Sequence, residues 1–361
     1  MLVLGIETSC DDTAAAVVAN GTEVRASIVS SQDAIHAAYG GVVPELACRC
    51  HVENIHPVIN AALERANVTL HDIDLIATTQ GPGLIGALLV GISVAKALAY
   101  GLKKPLIPVH HLEGHISSIY LEYPLLPFPF VALVVSGGHT DLYHCPQRGH
   151  YTILGRTRDD AAGECFDKVA KMLHLGYPGG PIIDRLAPHG DPQAVHFPRA
   201  LLTDASLDFS FSGVKTAVRS YLLHVTDSQG QPFFADDSFW PVPATPWWVQ
   251  QRNDILASFQ QAVVDILVHK TVRAVQQTQA RAVAVVGGVA CNSLLRREML
   301  LAGETQELPV FFPSPKFCTD NAAMIACAAY YRYQANPQYY EQRSFLDLEA
   351  YPNLALSVHN L

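Results

Sequence analysis

The densest set of metal-capable side chains is His110-His111-Leu112-Glu113-Gly114-His115, which follows the short apolar run Leu106–Val109. If the segment after the run is helical, His111 and His115 lie four apart on one face. Two imidazoles at that spacing can grip one metal ion. Glu113 stands two residues after His111, so the pattern is not H-E-x-x-H. A zincin-type metalloprotease, which places its glutamate beside the first histidine, is therefore disfavoured. Surface or capping histidines fit the spacing equally well. A two-histidine site also needs a further ligand, and Asp320 in Phe317-Cys318-Thr319-Asp320-Asn321 is a candidate. An aspartate before an Ala-rich helix is an ordinary N-cap, the plainer reading of Asp320 from spacing alone. Two nitrogens and one oxygen would leave coordination positions open, as a catalytic metal requires.

Four glycine turns can cradle phosphate or sugar: Gly81-Pro82-Gly83, Gly137-Gly138, Gly179-Gly180 and Gly287-Gly288. Two of them follow expected strands and lead towards helices, whose orphan N–H groups favour anions. None matches a Walker or a Rossmann fingerprint, and each alone is a plain turn. Together they point towards a nucleotide cleft. Asp167 and Asp184 bracket Tyr177-Pro178-Gly179-Gly180-Pro181, where a carboxylate can accept two ribose hydroxyl bonds. Solvated helix surface is the competing reading. There is no G-x-S-x-G and no cysteine with a base partner at motif level, so serine or cysteine nucleophilic catalysis has no support.

The elements that must position these residues alternate between strand and helix. Leu2 to Glu7, Thr13 to Ala19 and Val24 to Val29 read as a meander, with Asn20-Gly21 a strong hairpin signal. The small polar turn Thr8 to Asp12 separates the first two strands. The same grammar returns at Phe130 to Val135, Ser136 to Thr140, and Asp141 to His144. Two copies of strand, small polar turn, strand suggest two related lobes that face each other. Between and after them come strands at Leu75–Thr79, Leu106–Val109 and Ala282–Val286. Helices are expected at Gly83–Leu102, from about Asn292, and from Asn321 to about Tyr331. The chain is therefore an α/β protein.

Composition fits that reading. The chain has 361 residues, 49% of them hydrophobic and 16% charged, which is ample material for buried cores. Disordered and fibrous folds are excluded. The net charge of −9 argues against a non-specific nucleic-acid binder, while leaving room for a local basic groove. Eight scattered cysteines without a C-x-x-C argue for reduced thiols and a cytoplasmic protein. Leu84 to Leu102 approaches the ~20 residues needed to cross a bilayer. Lys96, Gly86 and Gly91 interrupt it, so a helix buried against a sheet is expected, and no membrane association. Residues 225–248, with all three Trp, read as an insertion whose aromatics dock on their own lobe or on a partner.

Ten stretches carry a resemblance. They are GIETSCDDTA, YGGVVPELA, GPGLIGALLVG, HHLEGH, VSGGHT, GECFDKVAK, YPGGP, FSFSGVKTAV, GGVACNSLLR and CTDNAAMIA, in order over about residues 1–330. The chain resembles the universal tRNA threonylcarbamoyladenosine transferase family. The resemblance implies a two-lobed actin/Hsp70/sugar-kinase-like fold with a nucleotide cleft between the lobes. It implies lobe I at 1–110, rejoined by about 316–345, lobe II at 111–315, and a tail at 346–361. The implied reaction moves a threonylcarbamoyl group from threonylcarbamoyl-AMP to N6 of the adenosine 3′ of the anticodon. The tRNAs concerned read codons that begin with A, and AMP leaves.

Carried over position by position, His111, His115 and Asp320 match the family's ligands for one divalent ion, Fe2+ or Zn2+. Val134, Val135, Ser136, Gly137 and Gly138 match its substrate loop. Asp167, Gly180, Asp184 and Asn292 match its adenosine and ribose contacts. Ser9, Cys10 and Asp11 match its first phosphate-facing turn, and Glu113 is a candidate to orient a ligand or assist proton transfer. The cleft would hold the adenylate, or ATP or ADP. Implied partners are the tRNA anticodon loop, a TsaB-like paralogue docked on lobe I, and a TsaE-like ATPase. Cys48 and Cys50 stand where the family more often has smaller or polar residues. The competing functions are a non-catalytic ATP-binding regulatory module of the same fold and, more remotely, a metalloprotease.

Overall fold

The computed structural model describes residues 1–202, 205–226, 234, 245–342 and 344–356. Among the described residues, ten strands form two five-stranded sheets. The first contains β1 (Leu2–Glu7), β2 (Asp12–Ala19), β3 (Glu23–Ser31), β4 (Leu75–Gly81) and β5 (Leu106–His110), in the order β3-β2-β1-β4-β5. The second contains β6 (Phe130–Val135), β7 (Thr140–Gln147), β8 (His150–Arg156), β9 (Ala282–Val286) and β10 (Val310–Phe311). Its order, β10-β9-β6-β7-β8, repeats the first when the two are laid side by side. In each, an antiparallel meander is followed by two strands parallel to its first member. The repeated strand–turn–strand grammar is thus a repeated topology.

The first meander closes as its sequence requires. Asn20 and Gly21 both take positive φ, 52° and 76°, the backbone a tight hairpin with right-handed twist demands. Parallel pairing buries strands on both faces, and β4, β5 and β9 are buried almost throughout.

Three apolar cores hold the layers. One lies beneath the outer face of the first sheet, where helices Pro44–Ala66 and Ile85–Leu102 supply Ile55, Ile59, Ile92 and Ala95. A second lies outside the second sheet, against helices Ala162–Met172, Ser212–His224 and Pro246–Thr278. The third joins the lobes. Helix Ala322–Ala335 packs its Ala, Met and Ile side chains against residues of both sheets. Small residues permit that approach: a Cβ on Gly5 would fall 2.2 Å from the Ala322 carbonyl oxygen.

Some expectations change. Helix Ile85–Leu102 packs on the sheet through Ala87, Leu88, Gly91, Ile92, Ala95 and Ala99, while Ile85, Leu89 and Tyr100 face outward. It is the one helix among the described residues long and apolar enough to cross a membrane, and only 33% of it is buried. The C-terminal tail is more than an appendage. Tyr351 N–H donates to the Gln80 carbonyl and Gly83 N–H to that of Pro352, so the tail runs along the end of β4. Of the 225–248 stretch, 227–233 and 235–244 lie outside the described residues, as do 357–361 of the tail. Phe234 packs edge-on against Trp248, 5.5 Å between centroids, and both join the core of the second lobe.

Candidate active site

The histidine segment is set by its flanks. β5 ends at His110, whose Nδ1 accepts the Leu112 N–H and caps helix His111–Ser117. His110 Nε2 meets the Leu354 carbonyl at 3.1 Å, and burial depresses this imidazole to about 3. It is a neutral cap. The helix then places His111 and His115 on one face, with ring centroids 4.7 Å apart.

Asp320 joins them from the far end of the chain. The residue that caps helix Ala322–Ala335 is Asn321, whose Oδ1 accepts the Met324 N–H at 3.0 Å. Asp320 is thereby released from capping. Its Oδ1 lies 3.1 Å from His115 Nε2 and 3.5 Å from His111 Nε2. One ligand atom from each of the three residues falls within 4.8 Å of the others. His115 is fully buried: its Nε2 faces Asp320 without hydrogen-bond geometry, and its Nδ1 has no hydrogen-bond partner among the described residues. Buried polar atoms without partners are costly. Two imidazole nitrogens and a carboxylate oxygen aimed at one point fit a divalent cation.

A residue absent from the sequence-based set completes this cluster. Glu7, at the end of β1, places Oε2 3.1 Å from His111 Nδ1 and accepts the Thr79 hydroxyl at 2.6 Å. Ser9 Oγ also lies 3.1 Å from His111 Nδ1. The arrangement fixes the ring so that Nε2 faces Asp320, as outer carboxylates orient metal-binding histidines. Burial pushes the His111 imidazole down, but the Asp320 and Glu7 carboxylates outweigh it and raise it to about 9. Burial likewise pushes the Glu7 and Asp320 carboxyls up, and the imidazoles hold both below the usual carboxylate range. Glu7 sits in an apolar strand with no polar neighbour in sequence before Thr8, so only its lateral neighbour Thr79 on another strand marks it.

Two adjoining cavities open from this cluster. One, about 610 Å³, is lined by Ser9, Asp11, His111, Ser136–His139, Asp167 and Asp320. The other, about 450 Å³, is lined by Asp11, Asp12, Asp167, Gly180, Asp184 and Asn292. A Cβ on Gly137, Gly138 or Gly180 would meet nothing within 4 Å, so these glycines leave space open to the cleft. Gly163 does the opposite: its Cβ would lie 2.6 Å from the Ser136 carbonyl oxygen, which locks the Ala162–Met172 helix under the Ser136–Gly138 loop. Asp167 accepts the Gly179 N–H at 2.7 Å, and burial raises its carboxyl to about 6. Asp184 accepts both the N–H and the hydroxyl of Ser293. Asn292 caps helix Ser293–Thr305 through Leu295 N–H and donates to Gln260.

Three of the sequence candidates keep their side chains out of the cleft. Val134 and Val135 are fully buried in β6, with side chains in opposite cores, because a strand alternates its faces. Glu113 turns away from the cleft and pairs with the buried Arg332. His139, which the sequence reading did not single out, faces the cluster with its ring 6.5 Å from that of His111. Burial and the two neighbouring histidines lower it to about 4.

The chain is similar to known proteins over nearly its whole length. A family model described as TsaD, tRNA N6-adenosine threonylcarbamoyltransferase, matches residues 23–327. A protein of that name from Moorella thermoacetica is 53% identical over 357 residues, 98% of this chain and 97% of its own. Another, from Geotalea uraniireducens, is 55% identical over 326 residues, 90% of each chain. Among solved structures, HypF from T. kodakarensis aligns with a TM-score of 0.58 at 15% identity, over 92% of this chain and 48% of its own. The Acidaminococcus fermentans (R)-2-hydroxyglutaryl-CoA dehydratase component A aligns at 0.52 and 15%, over 92% and 99%. At that identity the likeness is one of fold, the two-lobed actin/Hsp70/sugar-kinase-like fold. Sequence and structure together lead to one conclusion: the chain belongs to the tRNA N6-adenosine threonylcarbamoyltransferase family and is an acyltransferase of tRNA t6A biosynthesis.

Proposed function

We propose that this enzyme transfers its acyl group at the mouth of the two cavities, with His111, His115 and Asp320 holding a divalent iron or zinc ion. The observation that carries this reading is the convergence of His111, the fully buried His115 and Asp320, whose ligand atoms lie within 4.8 Å of one another. When bound there, such an ion supplies Lewis acidity towards the oxygens of the mixed anhydride. Glu7 and Ser9 keep His111 Nε2 turned to the cluster. The Ser136–Gly138 loop lies beside the reacting phosphate and carbamoyl groups, and Ser9 and Asp11 line the phosphate side. Asp167, Gly180, Asp184 and Asn292 line the adenosine end. Val134 and Val135 act by holding that loop on β6.

The acceptor amine of adenine is a weak nucleophile, because its lone pair is delocalised into the ring. Alignment with the activated carbonyl is then the main source of rate, and well-oriented pairs gain roughly 7–11 kcal/mol. An anticodon-loop base is single-stranded and can be splayed into the cleft. With a net charge of −9, the enzyme meets tRNA through local contacts or shares them with a partner. We assign 1–110 with 316–345 to lobe I, 111–315 to lobe II and 346–361 to the tail. A TsaB-like paralogue would cover the outward face of lobe I, and a TsaE-like ATPase would join that assembly. Free thiols at all eight cysteines and a tRNA substrate are consistent with the cytoplasm.

The test supplies threonine, bicarbonate, ATP, the adenylate-forming enzyme and tRNA, and detects the modified nucleoside by mass spectrometry. The His111→Ala/His115→Ala variant is expected to lose bound metal and product together. Product formed without metal removes the role assigned to the ion.

A further inference from the structure

Two positions beyond His111 on a helix is about 200° around its axis, so Glu113 faces the opposite way. There it meets Arg332, and both are buried, at 2% and 7% exposure. Arg332 Nε donates to Glu113 Oε2 at 2.8 Å and Nη2 reaches the same oxygen at 2.5 Å. Its Nη1 donates to the Pro108 carbonyl at 3.0 Å. Pro108 and Glu113 flank His111 in sequence, so one guanidinium grips the strand–helix junction that presents this ligand. Arg332 belongs to helix Ala322–Ala335, whose cap Asn321 directly follows Asp320. Between these helices the other contacts are close but weakly directional. A Cβ on Gly114 would lie 2.7 Å from Ile325 Cδ1, and Cys327 Sγ donates to the Ser117 carbonyl at 3.3 Å.

We propose that the Glu113–Arg332 pair is a positioning device: it sets the register between helices His111–Ser117 and Ala322–Ala335, and so brings Asp320 to His111 and His115. This rests on the metal reading given above. A helix rises ~1.5 Å per residue, whereas metal–ligand distances tolerate about 0.2 Å. A slip of a fraction of one residue therefore separates Asp320 from the histidines. Apolar side chains along the seam permit such a slip; a fork-shaped guanidinium held by a carboxylate and a carbonyl does not. The pair contributes little to stability, because desolvating two charges offsets their attraction. Stability and ligand geometry are thus separable.

Zinc is the probe, titrated against a competing chelator into the full chain after metal removal, with urea unfolding measured in parallel. Glu113→Gln leaves a buried guanidinium without its counter-charge and lowers the unfolding midpoint. The Glu113→Leu/Arg332→Met double variant removes both charges. It is expected to unfold at or above the wild-type midpoint, yet to bind zinc roughly 10–100-fold more weakly. Arg332→Lys keeps the charge, loses the fork, and is expected to weaken zinc binding while the chain stays folded. A folded double variant or Arg332→Lys chain that binds zinc as tightly as wild type overturns the proposal. Failure of the metal reading looks different: wild type then binds no zinc, or the His111→Ala/His115→Ala variant binds it equally well.

Discussion

At the scale of single residues, capping and charge decide which carboxylates do chemistry. Asn321 takes the cap of its helix and leaves Asp320 to the histidines. Asn321→Ala is expected to cost about 1 kcal/mol of stability and to draw Asp320 towards the vacated cap, weakening zinc binding. Chelator competition with urea unfolding checks both. Asp12 shows the cost of the acidic cleft. Burial, with the charges of Asp320 and Asp11, raises its carboxyl from 3.8 to about 8. The fold therefore favours the protonated form. That contribution is full below the unfolded value of 3.8 and is lost as pH rises through about 8. The metal-free chain should lose stability across this window, and Asp12→Asn should flatten the slope in urea titrations run with chelator. An unchanged slope in the variant would assign the effect to other groups.

At the scale of elements, two glycines that look alike in sequence do opposite work. Gly5 lies where β1 touches helix Ala322–Ala335, and an added Cβ meets backbone at 2.2 and 3.0 Å. Gly5→Ala must push that helix and is expected to cost about 1–3 kcal/mol, read by urea unfolding. Gly137 stands on an open loop with nothing within 4 Å of its Cβ. Gly137→Ala should leave stability within ~0.5 kcal/mol of wild type, while raising KM for the adenylate donor in the transfer assay. A Gly137 variant with unchanged KM would show that the loop does not border the donor.

At the scale of the whole molecule, two copies of one sheet topology face each other, and helices His111–Ser117 and Ala322–Ala335 pack between them. The outer face of lobe I exposes apolar side chains among polar ones such as Arg49, Glu53 and His56. Helices Pro44–Ala66 and Ile85–Leu102 meet where Gly86 lies against Cys48, and Val52, Leu89 and Tyr100 are 62%, 49% and 70% exposed. A monomer rarely leaves such a surface uncovered. If the proposed TsaB-like paralogue docks on this face, Val52→Glu with Leu89→Glu should abolish its association in sedimentation experiments and leave the thermal midpoint unchanged. Association retained by this variant would move the interface elsewhere.

The amino-acid sequence by itself determined the α/β class, the duplicated strand–turn–strand unit and the His111/His115 pair. Each of these is written in local periodicity, turn chemistry or i,i+4 spacing, and the ten matching stretches named the family. Other features depend on contacts between residues far apart in the chain, and no local pattern records them. The partnership of Glu7 with His111 joins residues 104 apart. The Glu113–Arg332 pair joins residues 219 apart. Whether Asp320 caps a helix or faces the two histidines turned on its neighbour's side chain, where spacing alone favours the cap. Val134 and Val135 matched the substrate loop by position, but strand alternation buried them, because a sheet allots its faces only once it is packed.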